Sequence, residues 1–378
     1  MLLYEYEALE IFKEYGIRTE PAVLARTPEE ALKVAEKIPP PYMVKAQVRA
    51  SGRGKAGGIK PAETPNEVKL VAEQLIGTEI KGETVKEVLV SHRVQVEREL
   101  YLSLLTDRYS RSIVAVASPH GGVDIEELAR KNPSSILKIR IDPYIGVKPY
   151  HTLRIRKHLG VDNQVERIVR SMYNILVEYN AKLVEINPLV LTPEGLIAVD
   201  RRIIIDDSAI PFNPKLTRFA EARKAEKSQE ELIAEEGRFS YVPLRGDIGI
   251  IGNGAGLTMA TMDLVQQRGG RPGCFLDIGG GASSERVEKA LKMLLEDSVI
   301  KVILVNVLGG ITRCDEVARG IVKALQSSRQ AKPIVVRLAG TKEDEGKIIL
   351  RNAGIPAFRE IEPAVLKAVE VARSGGAS

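Results

Sequence analysis

Two rhythms of apolar and polar positions run along this chain. Thr27-Pro28-Glu29-Glu30 and Thr64-Pro65-Asn66-Glu67 each set an S/T-x-x-E cap, with proline at the first helical position, before an apolar-periodic run. Each predicts a helix start. Between them residues 42–48 read as a strand that runs into a glycine-rich loop at 51–58. Further strands are expected at 87–91, 99–105, 112–117, around 183–186 and at 196–200. The first part is therefore mixed α/β, with strands and helices not strictly alternating.

Residues 218–236, dense in charge and rich in helix formers, read as a solvated helical connector. Beyond them the rhythm changes to four apolar strands, in GDIGIIGNGAG, CFLDIGGGAS, KVILVNVLGGI and PIVVRLAGT, each ending in a glycine turn and followed by a helix. That alternation predicts a parallel sheet with right-handed crossovers. The expected organisation is a first domain over 1–235, itself in two subdomains, a second over 240–373, and a disordered tail at 374–378.

Length and composition narrow the class. A chain of 378 residues is long enough for at least two cores. No stretch approaches the roughly 18 apolar residues of a membrane span. The first residues, MLLYEYEALEIFKEYG, lack the basic and apolar regions of a secretory signal, so a cytoplasmic location is expected. Cys274 and Cys314, the only cysteines, are expected to be free. The net charge of +5 is interleaved along the chain and fits small anionic ligands. Aromatics are 4% and Trp is absent, which leaves little to stack nucleic-acid bases on.

Three segments carry candidate chemistry. Gly52-Arg53-Gly54-Lys55-Ala56-Gly57 formally satisfies G-x-G-x-x-G, but no helix opens at its end. It is expected to fold over phosphates as a hairpin flap near Lys45, Arg53 and Lys55, although the same glycines also suit an ordinary surface hairpin. Asn187 and Asp200, on two strands joined by a turn at 192–195, offer a carbonyl and a carboxylate of the kind Mg2+ takes together with phosphate oxygens. Equally, Asn187 could cap the turn before Pro188 and Asp200 could pair with Arg201 or Arg202. In the second half the strands end in Asn253-Gly254-Ala255-Gly256, Gly279-Gly280-Gly281, Gly309-Gly310-Ile311-Thr312 and Gly340-Thr341, where an open parallel sheet binds ligands. Gly309-Gly310 before Ile311 predicts a helix N-terminus with bare amides, an anion site. None of His92, His120, His151 and His158 ends a second-domain strand, so no nucleophile is assigned. Cys314 is expected to pack rather than react.

Taken in order, YEYEALEIFKEYGI, VKAQVRASGRGKAGGIK, ERELYLSLLTDR, EINPLV, NGAGLTMATMD, FLDIGGGAS and NVLGGITRCD resemble the β-subunit family of succinyl-CoA synthetase, also called succinate–CoA ligase. The resemblance implies an ATP-grasp module followed by a flavodoxin-like domain. It implies that Lys45, Gly52, Arg53 and Gly54 hold nucleotide phosphates, that Glu99 belongs to the nucleotide site, and that Asn187 and Asp200 ligate Mg2+. It places Asn253, Gly310, Ile311 and Thr312 at a substrate and phosphate site shared with an α subunit. The implied reaction passes a phosphoryl group from succinyl phosphate to a histidine on that α subunit and on to ADP or GDP, with CoA and succinate released. The assembly would be αβ or α2β2. The histidine's GHAGA-like loop is absent from this chain, which would make it half an enzyme. Two departures stand out: Ser91, where bacterial relatives commonly carry glutamate, beside Val94 in the expected nucleotide hinge, and Arg201-Arg202 after Asp200, where Gly-Lys or Ala-Lys is usual. A malate–CoA ligase β subunit shares these motifs, and a non-catalytic nucleotide-binding regulatory subunit is the alternative from another class.

Overall fold

A computed structural model describes residues 1–50, 52–226, 228–328 and 332–374. The chain divides into two compact units, Met1–Glu221 and Ala222–Ser378.

Among the described residues the first unit holds two large sheets with separate cores, beside a short two-stranded hairpin of Glu79–Ile80 and Glu83–Thr84. Strands Ala22–Ala25, Val88–His92, Tyr42–Ala46 and Ile59–Ala62 form a four-stranded antiparallel sheet in that spatial order. Helices Pro28–Ala35 and Pro65–Leu75 contribute Ala31, Ala35, Val68, Ala72 and Leu75 to the core of that sheet. Both helices start where the sequence predicts: Glu30 N donates to Thr27 Oγ1 at 3.1 Å and Glu67 N to Thr64 Oγ1 at 3.3 Å. The pairing of Tyr42–Ala46 with Ile59–Ala62 makes the glycine-rich segment a hairpin loop.

The larger sheet runs Gly195–Ala198, Ala181–Thr192, Arg98–Asp107, Ser112–Ser118, Leu137–Ile141, with Arg201–Ile205 also paired to Ala181–Thr192. Helix Gln164–Glu178 covers it with a stripe of Val165, Ile168, Val169, Met172, Ile175 and Leu176 at helical spacing. The chain start adds to its edge, since Leu3 N donates to Ile203 O at 3.1 Å and Ile205 N to Met1 O at 2.8 Å. Helix Glu5–Glu14 is thereby set beside Arg201.

In the second unit, parallel strands Pro272–Asp277, Ile248–Gly252, Val302–Gly309, Ile334–Gly340 and Ala357–Phe358 lie in that order, which is 2-1-3-4-5 in chain sequence. This is the flavodoxin-like order. An antiparallel edge strand, Ser240–Pro243, and the short Ala357–Phe358 were not foreseen, because neither carries a long apolar run. One face of the sheet packs with Ile361–Ser374 and the other with Ser284–Glu296 and Cys314–Ser327.

The connector differs from expectation. The division between units falls inside helix Thr217–Glu226, and the next helix, Gln229–Gly237, is not a solvated spacer. Its Ala234, with Phe239, is buried in the core of the second unit. The two apolar groups were too sparse among the charges to signal a packed face. At the far end Ser374, which was expected to open a disordered tail over 374–378, closes the last helix instead, and 375–378 lie outside the described residues.

Candidate functional site

A cleft of about 460 Å³ opens in the first unit, walled by the loop after Tyr42–Ala46, the 122–126 segment and the strands around Asn187 and Asp200. Of the residues singled out in sequence it brings together Gly52, Arg53, Gly54, Lys55, Asn187, Asp200, Arg201 and Arg202. Asn187 N donates to Asp200 O at 3.0 Å, so the two stand opposite each other where the ladder passes from Gly195–Ala198 to Arg201–Ile205. Asn187 Oδ1 accepts from Gly122 N at 2.7 Å and its Nδ2 donates to Val123 O at 3.1 Å. The amide thus clamps the 122–123 loop while its oxygen keeps a second lone pair. Asp200 pairs with neither Arg201 nor Arg202; Arg53 donates to its Oδ1 at 3.1 Å. The cleft wall partly desolvates the half-exposed Asp200 carboxyl and raises it above the usual range, with Arg53 opposing and Glu5 adding to the rise. An amide oxygen and a carboxylate in one cleft fit a hard divalent cation that takes its other ligands from water and phosphate. Among the described residues no cluster of three or more His, Cys, Asp and Glu side chains is arranged as an all-protein metal cage.

Beneath the cleft lies a charge network that sequence reasoning missed. Three cations, Lys45, Arg53 and Arg201, meet three carboxylates, Glu5, Glu20 and Asp200. Lys45 Nζ donates to Glu5 Oε1 (2.9 Å), Glu20 Oε1 (3.1 Å) and Val199 O (2.7 Å), which uses all three ammonium directions. Arg201 reaches Glu5 Oε1 at 2.8 Å and Glu20 Oε1 at 2.7 Å, and Arg53 donates to Glu5 and to Ala46 O. Burial opposes ionisation of Glu5, but Arg53, Lys45 and Arg201 outweigh it and hold the carboxyl well below its usual range. Lys45 goes the other way. Glu20 and Glu5 overcome its desolvation and raise it.

Lys45 therefore differs from the expectation that it meets phosphates: it is buried off the cleft wall, because a lone ammonium in an apolar strand must be compensated. Ser91, Val94 and Glu99 also lie off that wall. Ser91 is buried and donates weakly to Met43 O at 3.4 Å, Val94 is half-buried, and the exposed Glu99 has its carboxylate against Gly122. Glu5 carried a readable signal, since it opens the apolar stripe Glu5, Ala8, Leu9, Phe12 of the first helix.

In the second unit the polar residues gather at the ends of Ile248–Gly252 and Val302–Gly309, where the strand order reverses. Asn253 Oδ1 accepts from Leu308 N at 2.9 Å, and its Nδ2 donates to Leu308 O at 3.0 Å and Thr312 Oγ1 at 3.1 Å. Thr312 Oγ1 also accepts from Gly281 N at 2.9 Å, tying three strand-end loops together. Gly310 has open space where a side chain would be, and Ile311 is 84% exposed. The amides of Ile311 and Thr312 have no hydrogen-bond partner among the described residues. One expectation is corrected here: the helix starts at Cys314, whose N donates to Thr341 O at 2.9 Å, so these amides precede the helix instead of forming its first turn. The 309–312 bend is held by Thr341, whose N donates to Gly309 O at 3.0 Å and Oγ1 to Gly310 O at 2.9 Å. Cys314 and Cys274 are free and buried, and burial pushes the Cys274 thiol up to about 12.

Models of an ATP-grasp domain and of a CoA-ligase match residues 2–191 and 251–371. The chain is 50% identical to the β subunit of succinate–CoA ligase [ADP-forming] from Pyrobaculum islandicum, covering 99% of this chain and 100% of that one. The chain belongs to the succinate–CoA ligase β-subunit family. Equivalent β subunits from Ignicoccus hospitalis and Herpetosiphon aurantiacus are 48% and 44% identical, each over 99% of this chain and 100% of theirs. ATP citrate lyase from Methanothrix soehngenii shares the fold at a TM-score of 0.74 and 19% identity, covering 98% of this chain and 99% of the other. Family membership agrees with the two-part architecture. His151 is buried and accepts from Lys148 N at 3.0 Å, His92 and His158 meet backbone carbonyls at 2.9 and 3.0 Å, and His120 is exposed.

Proposed function

We propose that this chain is the β subunit of an ADP-forming succinate–CoA ligase that works with a separate α subunit, as αβ or α2β2. The observation that carries the reading is the cleft in which Gly52-Arg53-Gly54 stands across from Asn187 and Asp200, in a chain of this family. Backbone amides of the flap and the Arg53 guanidinium hold the ADP or ATP phosphates. Asn187 and Asp200 hold Mg2+, which when bound neutralises charge on the transferring phosphoryl group. Lys45 acts from below by fixing Glu5 and Glu20, while Ser91, Val94 and Glu99 form the hinge side of the nucleotide site.

At the other site, succinyl-CoA and phosphate give succinyl phosphate and CoA. The phosphoryl group passes to a histidine of the α subunit, releasing succinate, and from that histidine to ADP. Asn253 shapes the succinate and phosphate site, and the free amides at Ile311 and Thr312, beside the side-chain-free Gly310, receive the anion. None of the described helices is long and apolar enough to cross a membrane, in keeping with a cytoplasmic enzyme.

The test is an assay of the co-purified complex with CoA, Mg2+, succinate or malate, and ATP or GTP. Steady turnover is expected with succinate and ATP, and none from this chain freed of its partner. Turnover by the partner-free chain, or a preference for malate, would overturn the assignment.

A further inference from the structure

Arg201 and Arg202 follow each other on one strand and have opposite fates. Arg201 spends both terminal nitrogens on Glu5, Glu20 and Val199 O, which leaves only its Nε without a partner among the described residues. Arg202 lines the cleft, and its Nε is buried with no hydrogen-bond partner. Among the described residues no carboxylate lies within ion-pairing distance of it.

The ladder explains what surrounds it. Glu185 pairs with Arg202 and Asn187 stands opposite Asp200, so strand alternation puts Glu185, Asn187, Asp200 and Arg202 on one face, and all four line the cleft. Glu185 is the counter-charge directly across, yet its Oε2 takes the Tyr101 hydroxyl at 2.8 Å instead of the guanidinium. Burial raises the Glu185 carboxyl, with Tyr101 and Arg202 opposing. A planar guanidinium left with unused donors beside a cation-ligating pair is complementary to a multiply charged oxyanion such as a phosphate, whose oxygens can take two of its N–H groups at once.

We infer that Arg202 binds the phosphate chain of the nucleoside di- or triphosphate whose Mg2+ is held by Asn187 and Asp200, supplying a fork of donors from the strand side of the cleft opposite the glycine flap. This rests on the nucleotide reading above and adds to it a residue that determines affinity for the phosphates. A point charge at this position keeps the attraction but loses the bidentate geometry.

The experiment measures binding of Mg-ADP and Mg-ATP to the full chain with its co-purified partner by calorimetry, beside a melting curve, for the wild type, Arg202→Met, Arg202→Lys and the double variant Glu185→Gln/Arg202→Met. Losing a hydrogen-bonded charge of this kind predicts a Kd raised about 10- to 100-fold in Arg202→Met. Arg202→Lys falls between, and the double variant stays weak even where it regains melting temperature. If Arg202→Met binds within about twofold of a nucleotide-binding wild type, the inference is overturned and the nucleotide reading stands. If the double variant recovers full affinity, Arg202 only balances Glu185 and the inference is likewise overturned. A wild type without saturable Mg-nucleotide binding overturns the underlying reading and this inference with it.

Discussion

Arg201 Nη2 stands 2.7 Å from Glu20 Oε1, and neither side chain is exposed to solvent. Residues 181 positions apart are thereby joined at the floor of the cleft, and the same carboxylate also takes Lys45 at 3.1 Å. Glu20 is therefore a shared counter-ion for two buried cations. A buried ion pair contributes little net stability over an apolar replacement, but removing one partner strands the others.

Glu20→Gln is accordingly expected to destabilise the first unit by about 3–5 kcal/mol, because Lys45 and Arg201 keep their charge with half its compensation lost. Denaturant unfolding followed by a probe in that unit checks this. A change of under about 1 kcal/mol would show that the network is not buried as a unit.

Asp200→Asn removes the only formal charge among the two proposed Mg2+ ligands while disturbing a single ion pair on a side chain that is 36% exposed. The half-saturating Mg2+ concentration for phosphoryl transfer should rise by about tenfold or more, with the melting temperature close to that of the wild type. An unchanged Mg2+ requirement would refute the assignment.

In the second unit, Asp315 takes Arg313 Nη2 at 2.8 Å and Arg319 Nη2 at 2.6 Å. The bond from Arg313 leads, burial opposes it, and Arg319 adds to it, so the Asp315 carboxyl lies well below its ordinary 3.8. A depressed carboxyl contributes stability that is present above the unfolded value and lost as pH falls through the folded one. The stability of this unit should therefore hold above about pH 4 and decline below it. Asp315→Asn should flatten that acid limb, measured by denaturation from pH 5 down to pH 2. An acid limb of the same slope in the variant would exclude Asp315 as its source.

Gly310 has no atom within 4 Å of an added Cβ and no left-handed φ, so Gly310→Asp should fold and bind nucleotide normally. Its carboxylate would face the anion proposed to meet the free amides of Ile311 and Thr312. Like-charge juxtaposition costs several kcal/mol, which predicts at least a tenfold loss of partner phosphorylation by succinyl-CoA and phosphate. Phosphorylation at the wild-type rate would move the phosphate site elsewhere.

Thr312→Val should loosen the strand-end loops. It leaves Asn253 Nδ2 with one acceptor fewer and Gly281 N with none, and since Asn253 is half-buried and Gly281 exposed, water offsets part of the loss and the cost is about 0.5–1.5 kcal/mol. Hydrogen exchange at Gly281 is the readout, and unaltered protection there would argue against the bridge.

Local chemistry was enough to read much of this protein. The capped starts at Pro28 and Pro65, the flap between two strands, the turn at 192–195 and the glycine-ended strands of the second unit all follow from short-range rules of capping, φ freedom and periodicity. The same rules set Asn187 across from Asp200, although Asp200 falls in the break between Gly195–Ala198 and Arg201–Ile205 and not on a strand. The charge network was not legible. Glu5, Glu20, Lys45 and Arg201 meet only because the first residues of the chain add to the edge of Arg201–Ile205 and carry the first helix with them, a pairing across some two hundred residues. Sequence alone could not say which of two adjacent arginines turns inward, since strand alternation fixes only that they point opposite ways. The choice was made by where the carboxylates already stood. Burying Arg201 against Glu5 and Glu20 costs far less than burying it unpaired, and Arg202 was left facing the cleft.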